Sequence, residues 1–131
     1  MARILVIDDQ IEVRSAIRAM LEHAGHTVVA AECGHNAVGA IEAFAFDLVM
    51  VDIIMPGLNG LDTIKILREN ARDVPIIAMS GYSFRGGSSD LDFFSMAQEL
   101  GAGCCLQKPF RPRELMDAVE SLLGSKSARV A

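Results

Sequence analysis

Five short apolar runs alternate with segments whose apolar residues recur every three or four positions, and that alternation restricts the chain to very few folds. Ile4 to Ile7 is an unbroken β-branched and aliphatic run, as a strand buried on both faces requires. Thr27 to Ala31, Asp47 to Val51, Pro75 to Met79 and the short Cys104 to Gln107 read the same way. A helix is expected from Gln10 to Ala24, with Val13, Ala16, Ile17, Met20, Leu21 and Ala24 inward and Gly25 as its stop. Asn36 to Ala45 reads as a second helix with Ala37, Val38, Ile41 and Ala45 inward. Leu61 to Asn70 reads as a third, facing inward with Leu61, Ile64 and Leu67 or Ile66. Asp90 can cap a fourth that runs to Leu100 and ends at Gly101. Its inward residues are expected to be Phe93, Met96, Ala97 and Leu100, with Leu91 and Phe94 pointing elsewhere. Pro112 suits the first turn of a last helix ending near Leu123. Pro56, Gly57, Asn59 and Gly60 mark one loop, and the Gly- and Ser-rich stretch from Gly81 to Ser89 marks another.

Strand then helix, five times over, predicts an α/β fold of doubly wound type. The short connections call for a parallel sheet with helices on both faces. The 131 residues suit one domain, read as 1–124, and 125–131 form a small polar tail expected to fray. Hydrophobic residues make up 51% of the chain, enough to build a core without staples. In such sheets functional groups gather at the carboxyl ends of the strands. Asp8 and Asp9 end the first strand, Asp52 the third, Ser80 the fourth and Lys108 the fifth.

Three carboxylates in one crevice repel one another unless a cation neutralises them. An all-oxygen ligand set suits Mg²⁺, which takes one or two carboxylates together with substrate phosphate oxygens. Lys108 supplies a point charge and Ser80 a hydroxyl donor, the parts that bind a phosphoryl group. Asp52 precedes Ile53-Ile54-Met55-Pro56 and not a helix, so a capping role suits it less than that of a nucleophile toward phosphorus.

The remaining composition excludes other classes. A net charge of −5 and a pI near 5.1 argue against unaided binding to nucleic acid or to an anionic membrane. Cys33, Cys104 and Cys105 are odd in number, two are adjacent, and no CxxC spacing occurs, so free thiols in a reducing cytosol are expected. No signal peptide and no apolar stretch of about 20 residues is found, and a cytoplasmic protein is expected. His23, His26 and His35 fall at helix ends or turns and are read as surface residues.

Four segments occur in an order that resembles the receiver domains of bacterial two-component response regulators, of the CheY-like superfamily. They are Ile4-Leu5-Val6-Ile7-Asp8-Asp9, Val51-Asp52-Ile53-Ile54-Met55-Pro56-Gly57-Leu58-Asn59-Gly60, Met79-Ser80-Gly81 and Lys108-Pro109-Phe110. The resemblance implies a flavodoxin-like (βα)5 sandwich with five parallel strands in the order 2-1-3-4-5. It implies Asp52 as the phosphoacceptor and Mg²⁺ as the cofactor, held by Asp8, Asp9, Asp52 and the backbone carbonyl of Ile54. Lys108 would hold a phosphoryl oxygen, Ser80 would move toward the phosphoryl group, and the Lys108–Pro109 bond would be cis. The donor would be a phosphohistidine of a histidine kinase or histidine phosphotransfer protein. A stand-alone receiver is expected, whose output is a contact with an unknown downstream protein or a phosphorelay, with no enzymatic turnover beyond phosphorylation and dephosphorylation of Asp52.

The chain departs from the family at Cys105, where a Tyr or Phe is usual, and Tyr82 or Phe84 is the ring expected to take over in the switch. On the first helix Ile11, Arg14 and Arg18 lie opposite the buried stripe and are expected to dock the donor's histidine-bearing helix. Two rival readings fit the same fold. A Mg²⁺-dependent phosphohydrolase with an Asp nucleophile would want a second Asp at position 54, where Ile54 stands. A flavin or nucleotide carrier would want a phosphate-cradling loop where Asp8-Asp9-Gln10 stands.

Overall fold

The computed structural model describes residues 2–32, 34–43, 45–53, 60–70, 73–80 and 88–130. Strands and helices alternate throughout: β1 (Arg3–Ile7), α1 (Ile11–His23), β2 (Thr27–Ala31), α2 (Gly34–Ala43), β3 (Leu48–Asp52), α3 (Gly60–Asn70), β4 (Ile76–Ser80), α4 (Ser88–Glu99), β5 (Cys104–Gln107) and α5 (Pro112–Val130). All five strands are parallel and lie in the order β2-β1-β3-β4-β5. This is the doubly wound sheet that the alternation predicts.

Successive side chains of a strand point to opposite faces, so each strand feeds two cores. Leu5, Ile7, Val49, Val51, Ile76 and Ala78 pack with Ala37 of α2, Ile64 and Leu67 of α3 and Ala97 of α4. Ile4, Val6, Leu48, Met50, Ile77 and Met79 pack with Ile17 and Leu21 of α1 and Leu115, Ala118 and Val119 of α5. β1, β3 and β4 are buried on both sides, which is why their sequences are continuous apolar runs and not alternating ones.

Two glycines stop helices as expected. Gly25 (φ 95°) and Gly101 (φ 113°) adopt the left-handed conformation that a side chain disfavours. The next amides, of His26 and Ala102, donate back to the carbonyls of Leu21 and Ala97, closing the last turns of α1 and α4.

Several boundaries differ from the sequence reading. β3 and β4 each start and end one residue later than expected, so Asp52 and Ser80 are the final residues of their strands. α2 starts and stops two residues early, and Ala45, expected inward, is exposed beyond it. On α1, Ile17 and Leu21 are buried and Val13 and Met20 half-buried, while Ala16 and Ala24 are exposed: the stripe is narrower than its apolar residues suggest. α4 begins at Ser88, which puts Asp90 inside the first turn and not at the cap. Its inward face differs at two positions: Phe94 packs on the core with Ala97 and Leu100, and Met96 is exposed, while the side chains of Leu91 and Phe93 lie outside what is described. With Ala97 as the buried anchor, positions three before and three after share its side, whereas position 96 lies about 100° away. α5 continues to Val130, well past Leu123. A mid-helix Gly124 costs only about 1 kcal/mol relative to Ala, and Ser125 to Val130 contains no proline to end the helix.

Candidate phosphoryl and metal site

The strand register brings the ends of β1, β3, β4 and β5 to one edge of the sheet. Ile7 stands opposite Val51, Asp52 opposite Met79, and Ser80 opposite Gln107. The residues of interest therefore end or immediately follow their strands. Alternation then sorts them by face. Asp52 continues the Leu48–Met50 row, and Asp8 the Ile4–Val6 row, both on the α1/α5 side. Ser80 continues the Ile76–Ala78 row toward α3 and α4.

Asp8, Asp9 and Asp52 offer carboxylate oxygens that all lie within 4.8 Å of one another. Asp8 and Asp52 are buried, and Asp9 is exposed at the rim. Lys108 reaches into the same space: its Nζ lies 2.7 Å from Asp8 Oδ2 and 3.0 Å from Asp52 Oδ2. Burial pulls the pKa of this ammonium down, but the hydrogen bonds and charges of Asp8 and Asp52 outweigh it and hold the pKa above its usual value. Lys108 is thus clamped between two buried carboxylates that favour its charged form.

The backbone fixes these side chains. The Gln10 N–H donates to Asp8 Oδ1 at 2.9 Å, and the Asp8 N–H donates to Ala31 O at 3.1 Å. The Lys108 N–H donates to Ser80 O at 2.8 Å, and the Ile53 N–H to Met79 O at 2.8 Å, extending the ladders past the strand ends. The Lys108–Pro109 bond is cis, as the resemblance implies. Gly60 opens α3 directly against the backbone of β3. A Cβ there would collide with the Asp52 carbonyl oxygen and with Ile53 Cα. Composition marks Gly60 as a loop residue; its steric duty under Asp52 emerges only from the fold.

The donor set can be tested against a divalent cation. Among the described residues Lys108 pairs with Asp8 and Asp52, Asp9 adds a third acid, and every donor atom of the triad is a hard oxygen. The cluster fits Mg²⁺. Ile54 and Tyr82 lie outside the described residues, as does Phe84.

Cys105 is half-buried on β5 and packs on the core with Phe94, its Sγ 3.9 Å from the Phe94 carbonyl. Cys104 faces the opposite core. On α1, Ile11 is 62% exposed, as expected. The two arginines are engaged within the chain. Arg14 Nη1 donates to Asp8 O at 2.6 Å, and Arg18 donates to Glu22 at 3.2 Å and to Val28 O at 3.3 Å. No spacing rule signals the Arg14 contact, because it joins a helix to the turn before it.

Residues 4–120 match the response regulator receiver domain. The chain belongs to that family. Receivers of this family are, in general, signalling modules and not turnover enzymes, and they pair with histidine kinases or phosphotransferases. This receiver is 37% identical over 123 residues to the transcriptional regulatory protein CpxR of Escherichia coli, covering 94% of the chain and 50% of CpxR. It therefore spans about half the length of that relative. It is 30% identical to sporulation initiation phosphotransferase F of Bacillus subtilis, over 95% of the chain and 96% of that protein. Among solved structures it resembles the receiver domain of the Pseudomonas aeruginosa sensor histidine kinase PA1611, described with a magnesium ion coordinated in its active-site cleft. The TM-score is 0.79 at 29% identity, over 94% and 98% of the two chains. The acidic triad of this receiver is the arrangement typical of a Mg²⁺ site in the family. No helix among its described residues is long and apolar enough to cross a membrane.

Proposed function

We propose that Asp52 accepts a phosphoryl group from a phosphohistidine of a histidine kinase or phosphotransfer protein, and that its phosphorylation state governs contacts with another protein. One observation carries the reading: a buried carboxylate at a strand end, held by Lys108 at 3.0 Å and facing two further acids. An Asp52 carboxylate oxygen bonds to phosphorus as the phosphorus–nitrogen bond of the donor breaks, and the imidazole leaves with the electron pair and takes up a proton. Lys108, charged and already at the site, pairs with a phosphoryl oxygen, which requires it to loosen its hold on Asp8 or Asp52. Ser80, at the adjoining strand end but on the α3/α4 side of the sheet, would turn toward the phosphoryl group to offer its hydroxyl as a further donor. Asp8, Asp9, Asp52 and the carbonyl of Ile54 would hold Mg²⁺, which neutralises charge on the transferring group.

The likeness to a phosphotransferase supports relay as one output. Ile11, beside Asp9 and open to solvent, supports docking of a donor helix on α1, with Arg14 and Arg18 at its flank. The rival phosphohydrolase lacks its second Asp, and the flavin carrier meets carboxylates where phosphate would bind. The test is incubation with acetyl phosphate and Mg²⁺ followed by intact mass. One added phosphoryl group is expected in the wild type and none in Asp52→Asn. Phosphorylation that survives in Asp52→Asn sinks the assignment.

A further inference from the structure

Arg14 is the fourth residue of α1, half-buried, and its guanidinium turns back toward the end of β1. Nη1 donates a 2.6 Å hydrogen bond to the backbone carbonyl of Asp8. That carbonyl lies one residue beyond the last rung β1 makes with its neighbours, where Ile7 stands opposite Ala31 and Val51. Arg14 therefore holds a carbonyl just past the last β1 rung, whatever partner the ladder itself supplies there. The acceptor belongs to the peptide joining Asp8 to Asp9. Asp8 has other restraints, from the Ala31 carbonyl, the Gln10 amide and Lys108. None of these bonds reaches Asp9, the one exposed carboxylate of the three, which must still point its oxygen at the other two.

We infer that Arg14 is a positioning residue for the divalent-cation site, holding the Asp8–Asp9 peptide so that Asp9 completes the carboxylate cluster. The inference rests on the reading of that cluster as a Mg²⁺ site. It differs in kind from a docking role on the α1 surface, because it acts with no partner present. It also differs in sign from simple electrostatics. Removing a positive charge beside three carboxylates should tighten Mg²⁺ binding, whereas losing the strut should weaken it.

The experiment is Mg²⁺ titration of the unphosphorylated protein by calorimetry, for wild type, Arg14→Ala, Arg14→Lys and Lys65→Ala. Lys65 is a surface cation paired loosely with Asp62, so Lys65→Ala controls for loss of one charge. Arg14→Ala should weaken binding about tenfold, the low end for loss of a group that orients a metal ligand. Arg14→Lys keeps the charge but only a point donor and should fall between the two; it carries the test if Arg14→Ala does not fold. Lys65→Ala should match wild type. With acetyl phosphate as donor, the half-saturating Mg²⁺ concentration should rise by the same factor in Arg14→Ala. The rate at saturating Mg²⁺ should stay within about twofold, because the reacting groups themselves are untouched. Unchanged or tighter Mg²⁺ binding in Arg14→Ala overturns the inference, as does equal weakening in Lys65→Ala. A wild type that binds no Mg²⁺ overturns instead the reading on which the inference rests.

Discussion

Gly60, under Asp52, and Cys105, on β5, show how much a single position decides. In an ordinary helix Gly→Ala stabilises by roughly 0.5–1 kcal/mol. Here the added methyl group has no space, because it meets the Asp52 carbonyl and Ile53 backbone. Gly60→Ala is expected to destabilise by about 1–3 kcal/mol, the cost of overpacking, and to weaken Mg²⁺ binding by shifting Asp52; urea unfolding and calorimetry measure both. Cys105 gives a pH prediction. Burial, with Cys104 adjacent, pushes its pKa from 9.0 up to about 11. The folded chain then keeps a proton that the unfolded chain has lost, so this contribution is intact below pH 9 and disappears as pH rises toward 11. The urea midpoint should fall over that window, and less steeply in Cys105→Ala. An identical slope in the variant would exclude Cys105 as the source.

At the scale of elements, α4 is where the sequence and the structure disagree most usefully. Its apolar residues Leu91, Phe93, Phe94, Met96 and Ala97 do not fall on one helical stripe, so periodicity alone leaves the face ambiguous by about one position in the helical wheel. Packing resolves this: Phe94 packs on the same cluster as Cys105, and Met96 turns to solvent. Phe94→Ala is accordingly expected to cost about 2 kcal/mol, below the 3–5 typical of a fully buried ring. Met96→Gln should stay within about 0.5 kcal/mol. Chemical denaturation of the two variants compares them directly, and a larger loss for Met96→Gln would reverse the assigned face. At its other end α4 is tied to α3 through Arg68, which donates to Val74 O at 2.7 Å and Gly101 O at 2.6 Å.

For the molecule as a whole, the site is a place where stability is surrendered. Asp8, Asp9 and Asp52 are held together by a fold that supplies one lysine for three carboxylates. A ligand that binds only the folded state stabilises it by mass action, so Mg²⁺ at about 100 times its dissociation constant should add ~2.7 kcal/mol. Asp9→Asn should reverse the pattern. Without metal it relieves repulsion and raises the urea midpoint, and with Mg²⁺ it gains less than wild type. Equal gains in the two proteins would remove Asp9 from the cation site.

The sequence by itself determined the number and order of elements, the parallel sheet, and the gathering of Asp8, Asp9, Asp52, Ser80 and Lys108 at one sheet edge. All of these follow from short-range patterns: aliphatic runs, helical spacing, glycine stops and the position of polar residues at strand ends. Other features depend on contacts between residues far apart in the chain. Lys108 reaches Asp8 across a sequence separation of 100 residues. Gly60 lies against Asp52, Phe94 packs on the core while Met96 is exposed, and Arg14 turns from a surface helix to the Asp8 carbonyl. Local periodicity carries no information about which of two neighbouring apolar faces is buried, or which backbone carbonyl a long arginine can reach. Only the tertiary structure decided these, because each is set by the space and the unpaired polar groups left once the sheet and helices have packed.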